Sequence, residues 1–431
     1  MNVACHRWLG WILVALLAVR PSLDVFSQWK TPSPFALDPA PLVGAALLVL
    51  GALWFITLPR LEKTALFREP LFWLLGAWLV LMLPWAALPY FAIENEGGAG
   101  MREWVRLLTL VPVAAFGFTL VKRGQLRVLL GVLLAGFAVP ALVGLVQILA
   151  QTGSVIQGFH RINATFAHPN PFAFYLGVLL LLTFWQWQES AWRWGWGALF
   201  LLQLGLLAFT FSLTGAAMFL FSIAIALVQM GPKVRWGLLA AFLVFGGLFF
   251  ATETGRERLA NLPTWEDLDR IEQTGEEVPS HVWRALNWRF LYREWLKQPV
   301  LGYGLGSSTR VNPNQNWQQG GIGHEPHNDY LRFLVETGAV GALLWLAFLA
   351  GVGWRLLQAH RHCAQPACRR LIWLAFALYG AWLLGSVADN LIIATAYQYA
   401  LWLVFGAAAG LPFMPPADAP TEANSSARPA A

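Results

Sequence analysis

Apolar runs of about twenty residues follow one another along almost the whole chain, and one long polar segment, 253–325, interrupts them. At 1.5 Å per residue, a helix of about 20 residues crosses a hydrocarbon core of about 30 Å. Twelve such runs lie near 6–24, 37–57, 70–90, 102–121, 127–150, 169–187, 196–212, 214–230, 234–252, 328–354, 371–388 and 390–410. The seventh and eighth share a tight turn near Ser212 to Thr214, and only Ala388, Asp389 and Asn390 separate the last two. The expected fold is an all-α integral membrane protein of about 12 transmembrane helices. One large loop containing short helices joins the ninth and tenth. Residues 1–410 form a single polytopic domain with 253–325 as its loop, and 411–431, rich in Pro, Ala and Ser with no apolar period, form a disordered cytoplasmic tail.

Lys and Arg orient the spans, because short cytoplasmic loops retain them. With the N-terminus inside, the inner segments hold fifteen, from Arg7, Arg60 and Lys63 through Arg355, Arg361, Arg369 and Arg370 to Arg428. The short outer loops and helix ends hold five: Arg20, Lys30, Arg102, Arg106 and Arg161. The polar segment then lies outside. Arg7 ahead of the apolar run Trp8 to Val19 resembles a signal peptide, but the run ends Ala18-Val19-Arg20-Pro21 without a small-x-small site, so an uncleaved first span is expected.

Composition agrees with the pattern. The 431 residues are 57% hydrophobic and 12% charged, whereas soluble domains are about a quarter charged. A net charge of +6 reflects retained inner Lys and Arg rather than nucleic-acid binding. Cys5, Cys363 and Cys368 are too few for a disulfide framework. The run from His360 to Cys368 holds ligand-type residues, but their spacing fits no standard zinc pattern, and no metal or cofactor is expected.

Candidate chemistry gathers in the outer segments. The acidic stretch TWEDLDRIEQTGEE reads as a solvated helix, with a divalent-metal site as the alternative. A helix follows over 282–298, stopped by Pro299 and LGYGLG. At 100° per residue, Arg284 shares a face with Trp288, Leu291 and Trp295, while Arg289, Arg293 and Lys297 share the opposite one. Arg284 there suits either a snorkelling or cation–π arginine or a guanidinium that grips phosphate oxygens bidentately.

HEPHNDYLRFLVETGAVG comes next. Pro326 suits the first turn of a helix, with His327 and Asn328 just inside, so the helix dipole favours a neutral imidazole suited to general-base work. His324 and Tyr330 are placed close by. In the shorter loop GFHRINATFAHPNPFAFYL, Arg161 and His168 precede the sixth span, and Arg161 suits either lipid phosphates or a substrate phosphate. Arg102 and Arg106, at the outer end of the fourth span, are candidates for the same basic pocket.

In this setting HEPHNDYLRFLVETGAVGALLW, KQPVLGYGLGSS and RINATFAHPNPFAFYL resemble the O-antigen ligase and polymerase superfamily over roughly residues 90–400. The resemblance implies a metal-independent glycosyltransferase of the bacterial inner membrane with twelve spans and a large periplasmic loop before the tenth, and a single displacement would invert the anomeric carbon. Its donor would be a glycan on undecaprenyl diphosphate, and in a ligase its acceptor lipid A-core. His327 matches the family's loop histidine, Arg284 its loop arginine, and Arg161 the arginine before the Pro-Asn motif. Where relatives often carry Ser-Arg-Gly at the end of the seventh span, this chain has Ser212-Leu213-Thr214-Gly215, so a basic contact is absent there or comes from Arg102 or Arg106. A ligase is preferred. A polymerase and a protein-glycosylating relative remain within the family, and a transporter of lipid-linked glycans is the alternative from another class, against which spans almost free of charge argue.

Overall fold

The computed structural model describes residues 3–25, 39–92, 98–156, 159–229, 235–236, 264–274, 280–313, 315–316, 322–323 and 325–414. His324, the tail beyond 414 and all of the expected ninth span but 235–236 lie outside the described residues.

The apolar runs fold into helices because apolar surroundings oblige each backbone N–H and C=O to pair within its own segment. Six helical segments are long and apolar enough to cross a membrane: Ala40–Thr57, Pro70–Pro89, Ala99–Lys122, Leu126–Ala150, Asp329–His362 and Pro366–Gly385. The protein is therefore a multi-pass membrane protein. Helices α1 (Val3–Val19), α8 (Pro169–Glu189), α9 (Arg193–Phe209), α10 (Leu213–Leu227) and α16 (Thr395–Gly410) form at the positions expected for other runs. Between α1 and α8 lie α2 (Pro39–Thr57), α3 (Arg60–Arg68), α4 (Pro70–Ala92), α5 (Ala99–Leu108), α6 (Leu110–Lys122) and α7 (Leu126–Ala150). The polar segment contributes α11 (Trp265–Thr274), α12 (Ser280–Lys297) and the single turn α13 (Ser308–Val311), ahead of α14 (Asp329–His362) and α15 (Pro366–Gly385).

Two short antiparallel ladders depart from an all-helical expectation. β1 (Ser154–Ile156) pairs with β2 (Phe159–Arg161), and β3 (Gln315–Asn316) with β4 (Ile322–Gly323).

Helix α16 is the hub, buried from Ala396 to Gly410. Its Gly406 and Gly410 are four residues apart, and a Cβ on Gly406 would lie 1.9 Å from the Ala114 carbonyl oxygen of α6. Small residues let the two backbones touch, which is how helices associate where water supplies no driving force. On the polar side of the molecule, α11 and α12 meet through Leu268, Ile271, Val282 and Leu286. Arg289 pairs with Asp269, and Arg293 with Glu272 at 2.7 Å, so the acidic helix covers the face of α12 opposite Arg284.

Helix α14 is broken at Gly338, whose φ of 63° and ψ of −171° are open to glycine and costly for other residues. The freed backbone groups pair with the Pro- and Gly-rich loop after α12. Tyr303 and Gly304 N–H donate to the Val335 and Glu336 carbonyls at 3.1 and 2.7 Å, and Ala339 and Val340 N–H donate to Pro299 and Val300 at 2.8 and 3.2 Å. Pro299 thus does more than stop α12. Its loop replaces the missing helical hydrogen bonds and fixes the first turns of α14, residues 329–337, at an angle set by the break.

Candidate active site

Two chain reversals meet at one end of the bundle: residues 325–329, leading into α14, and 386–391, leading towards α16. Asn328 caps α14, its Oδ1 accepting from Leu331 N–H at 2.9 Å. The helix begins at Asp329, so His327 stands outside it with a left-handed φ of 49° rather than just inside the first turn. The cap explains the difference, because a capping side chain requires its own residue to be non-helical. The segment is held to α12, where Trp288 Nε1–H donates to Pro326 O at 2.9 Å and Asn287 to Glu325 O at 3.1 Å. It is held to the second reversal by Asp329 N–H donating to Ser386 O at 2.8 Å. The Asp329 carboxylate also accepts from Ser386 Oγ and from the Leu391 and Ile392 N–H groups.

These anchors bring His327 against Asp389, with Nδ1 and Oδ1 3.2 Å apart, and set the Trp283 ring edge-on to the imidazole at 5.9 Å between centroids. Asp389 is the hub of the cluster. Its Oδ1 accepts from Asn390 N–H at 2.9 Å, its Oδ2 accepts from Asn170 Nδ2–H at 2.5 Å, and Arg284 Nη2 lies 3.7 Å from Oδ2. Arg284 also donates from Nη1 to Ala388 O at 2.8 Å. Burial alone raises the pKa of Asp389, but the hydrogen bond from His327 and the charge of Arg284 outweigh it and lower the value to about 2. An ionised carboxylate only accepts hydrogen bonds. The neutral imidazole therefore carries its proton on Nδ1, leaving Nε2 as a proton acceptor.

Asn170 ties the sixth expected span into the same cluster. Its Oδ1 accepts from Arg161 Nη2–H at 3.0 Å, and Arg161 Nε–H donates to Thr210 O at 2.7 Å. His168 caps α8, its Nδ1 accepting from Asn170 N–H at 3.2 Å. Burial, and after it the charges of Arg161 and Arg284, lower its pKa to about 4 against the opposing pull of Asp389, so this ring stays neutral.

His327, Arg284, Arg161 and His168 therefore converge, with Asn328 serving as the cap. Tyr330 supports the site from below, its hydroxyl donating to Leu383 O at 3.0 Å. Arg102 and Arg106 do not join them. Arg102 is exposed and Arg106 pairs with Glu103. Glu103 in turn faces Arg332, whose Nη2 is 3.4 Å away.

Arg332 is buried among three carboxylates, with Glu336 at 3.0 Å and Glu325 at 3.7 Å completing the set. Glu325 is the bridge between the two clusters, since its Oε2 also accepts from Asn390 Nδ2–H at 3.4 Å. Asp389 and Arg332 are the residues that sequence reasoning missed. The signals were an Asp-Asn pair in an otherwise apolar hairpin, and an Arg and a Glu four residues apart inside an apolar run.

The fold and the cluster define a membrane protein with a His–Asp pair and two arginines at one end of its bundle. Residues 198–346, about a third of the chain, match the family model of the O-antigen ligases. Arg284 and His327 lie within the match, and Arg161, His168 and Asp389 outside it. A Rickettsia conorii protein named "Putative polysaccharide ligase" is 25% identical over 132 residues, which cover 28% of this chain and 30% of the relative. A Rickettsia felis protein of the same name is 25% identical over 130 residues, with the same coverage. The chain thus matches less than a third of the length of these relatives.

Proposed function

We propose that the protein is an O-antigen ligase. It moves a glycan from undecaprenyl diphosphate to a sugar hydroxyl of lipid A-core at the periplasmic face of the inner membrane, without a metal. The observation that carries this reading is the His327–Asp389 pair beside Arg284, within reach of solvent at one end of an apolar bundle. His327 Nε2 takes the proton of the acceptor hydroxyl as its oxygen attacks the anomeric carbon. The new C–O bond forms as the bond from that carbon to the phosphate oxygen breaks, and the diphosphate leaves with the electron pair. A single displacement inverts the anomeric centre. Arg284 and Arg161 hold the diphosphate and stabilise the charge that grows on it, while Asp389 keeps the imidazole in the required tautomer.

The family match supports this class of chemistry, and the caps and ladders that fix the cluster supply the preorganisation such catalysis needs. The test is transfer by the purified protein in vesicles loaded with undecaprenyl diphosphate-linked glycan. A product formed only when lipid A-core is added supports the ligase. Longer glycans on undecaprenyl diphosphate without that acceptor indicate a polymerase and overturn it.

A further inference from the structure

Of the carboxylates gathered around Arg332, one is in excess. Glu103 of α5 pairs with Arg106, and Glu336 accepts from Arg332 Nε–H at 3.0 Å, so each of these two has its own guanidinium. Arg332 Nη2, 3.4 Å from Glu103, ties the two pairs together. Glu325 is the third carboxylate and the most loosely held. Its Oε2 lies 3.7 Å from Arg332 Nη1 and takes one hydrogen bond of 3.4 Å from Asn390 Nδ2–H. Its side chain is also the most exposed of the three, at 40% against 21% for Glu103 and 2% for Glu336. Both of its contacts fall on Oε2, so among the described residues Oε1 is the atom left to an incoming donor. The backbone beneath is fixed, since Glu325 O accepts from Asn287 Nδ2–H at 3.1 Å.

The chain reversal that carries Asp389 sets this carboxylate beside the reacting groups. Ala388 O accepts from Arg284 at 2.8 Å, Asp389 holds His327 at 3.2 Å, and Asn390 holds Glu325 at 3.4 Å. Three consecutive residues, about 3.8 Å apart from Cα to Cα, thus anchor a cation, an imidazole and a carboxylate. A carboxylate repels a diphosphate, whereas its lone pairs accept readily from hydroxyls. We infer that Glu325 binds the sugar that accepts the glycan, its Oε1 accepting a hydrogen bond from a hydroxyl of that sugar other than the one that attacks. The inference rests on the glycosyl transfer proposed above. The donor's anionic end then belongs with Arg284, and the hydroxyl-rich acceptor with Glu325, so that the base between them meets one particular hydroxyl.

The experiment compares the full-length native protein with Glu325→Gln, which keeps an oxygen for Asn390 and loses the charge. Transfer is measured to lipid A-core and to a series of acceptors, each lacking one hydroxyl of the reacting sugar. Because hydrogen bonds to charged groups are the stronger ones, the variant should raise the acceptor KM about tenfold or more and leave the donor KM unchanged. One deoxy acceptor should cost the native protein a similar factor, and the variant should treat that acceptor and its parent alike. A carboxylate that served only to brace Arg332 would instead lower the rate equally on every acceptor. That result, an unchanged acceptor KM or a raised donor KM would overturn the inference. Calorimetric titration with core oligosaccharide freed of its acyl chains separates the two readings. Binding that Glu325→Gln weakens, in a native protein that transfers no glycan, would sink the proposed function and leave the inference standing. Transfer to lipid A-core that discriminates among the deoxy acceptors equally with and without Glu325 would do the reverse.

Discussion

Arg284 and Arg332 lie in neighbouring clusters linked by Glu325, and both face carboxylates, yet their surroundings give them opposite uses. Arg332 is buried, and Glu336, Glu103 and Glu325 surround it. Its charge is consumed locally, where it joins α14 to α5 and to the chain before His327. Arg284 is partly exposed, shares the single carboxylate of Asp389 with His327, and bonds a backbone carbonyl. Two arginines in adjoining clusters thus divide into a fastener and a group able to meet an incoming anion. Exposure and the number of facing carboxylates decide which is which.

The largest effect should come from breaking the fastener. Arg332→Ala leaves three carboxylates around an empty position, and removing one partner of a buried ion pair costs about 3–5 kcal/mol. Thermal denaturation in detergent should show a severely destabilised protein, and adding Glu336→Gln should restore part of the loss. If Arg332→Ala melts like the native protein, the contrast between the two arginines fails.

Asp389→Asn acts on the other cluster. It keeps the shape but loses the charge that fixes the His327 tautomer, and glycan transfer should fall roughly 10²-fold or more. Melting should change less than in Arg332→Ala. Equal damage to stability and to rate would mean that both clusters are fasteners.

Gly338→Ala tests the break that orients the first turns of α14. The added Cβ would lie 2.2 Å from the Val300 carbonyl oxygen, at a φ of 63°. A loss of about 1–3 kcal/mol in stability is expected. An unchanged melt would show that the loop 299–304 yields without cost.

The smallest effect is a pH dependence. His168 has its folded pKa lowered to about 4 from 6.5. Its contribution is fully present above pH 6.5 and is lost as pH falls from 6.5 to 4, where the unfolded chain takes up a proton and the folded one does not. Asp389, lowered to about 2 from 3.8, loses its contribution only below that window, as pH falls through 3.8 towards 2. His168→Asn keeps a capping side chain and removes the titration. Its melting temperature should therefore fall less steeply between pH 6.5 and 4 than that of the native protein.

The apolar runs were legible because helix length in a bilayer is a local property. His327, Arg284 and Arg161 were legible as chemistry-bearing residue types in polar settings, and through their resemblance to known motifs. Their mutual arrangement was not, because the contact of Asn170 with Asp389 joins residues 219 apart. Asp389 read as a separator between two spans until the reversal at Ser386 closed on Asp329. Arg102 and Arg106 read as members of the basic pocket because the sequence shows their positions near a helix end but not that α5 leaves Arg102 exposed and pairs Arg106 with Glu103. The break in α14 lies at the Gly of a Glu-x-Gly pattern, whose need for a positive φ appears only once the loop from Pro299 is laid across it.

The most direct measurement is the single-turnover rate of glycan transfer by His327→Ala in vesicles, beside the native protein at saturating donor. Loss of the general base predicts a fall of about 10²–10⁴-fold, with binding of the donor unchanged and the melting temperature lowered less than in Arg332→Ala. Transfer at the native rate would contradict the account.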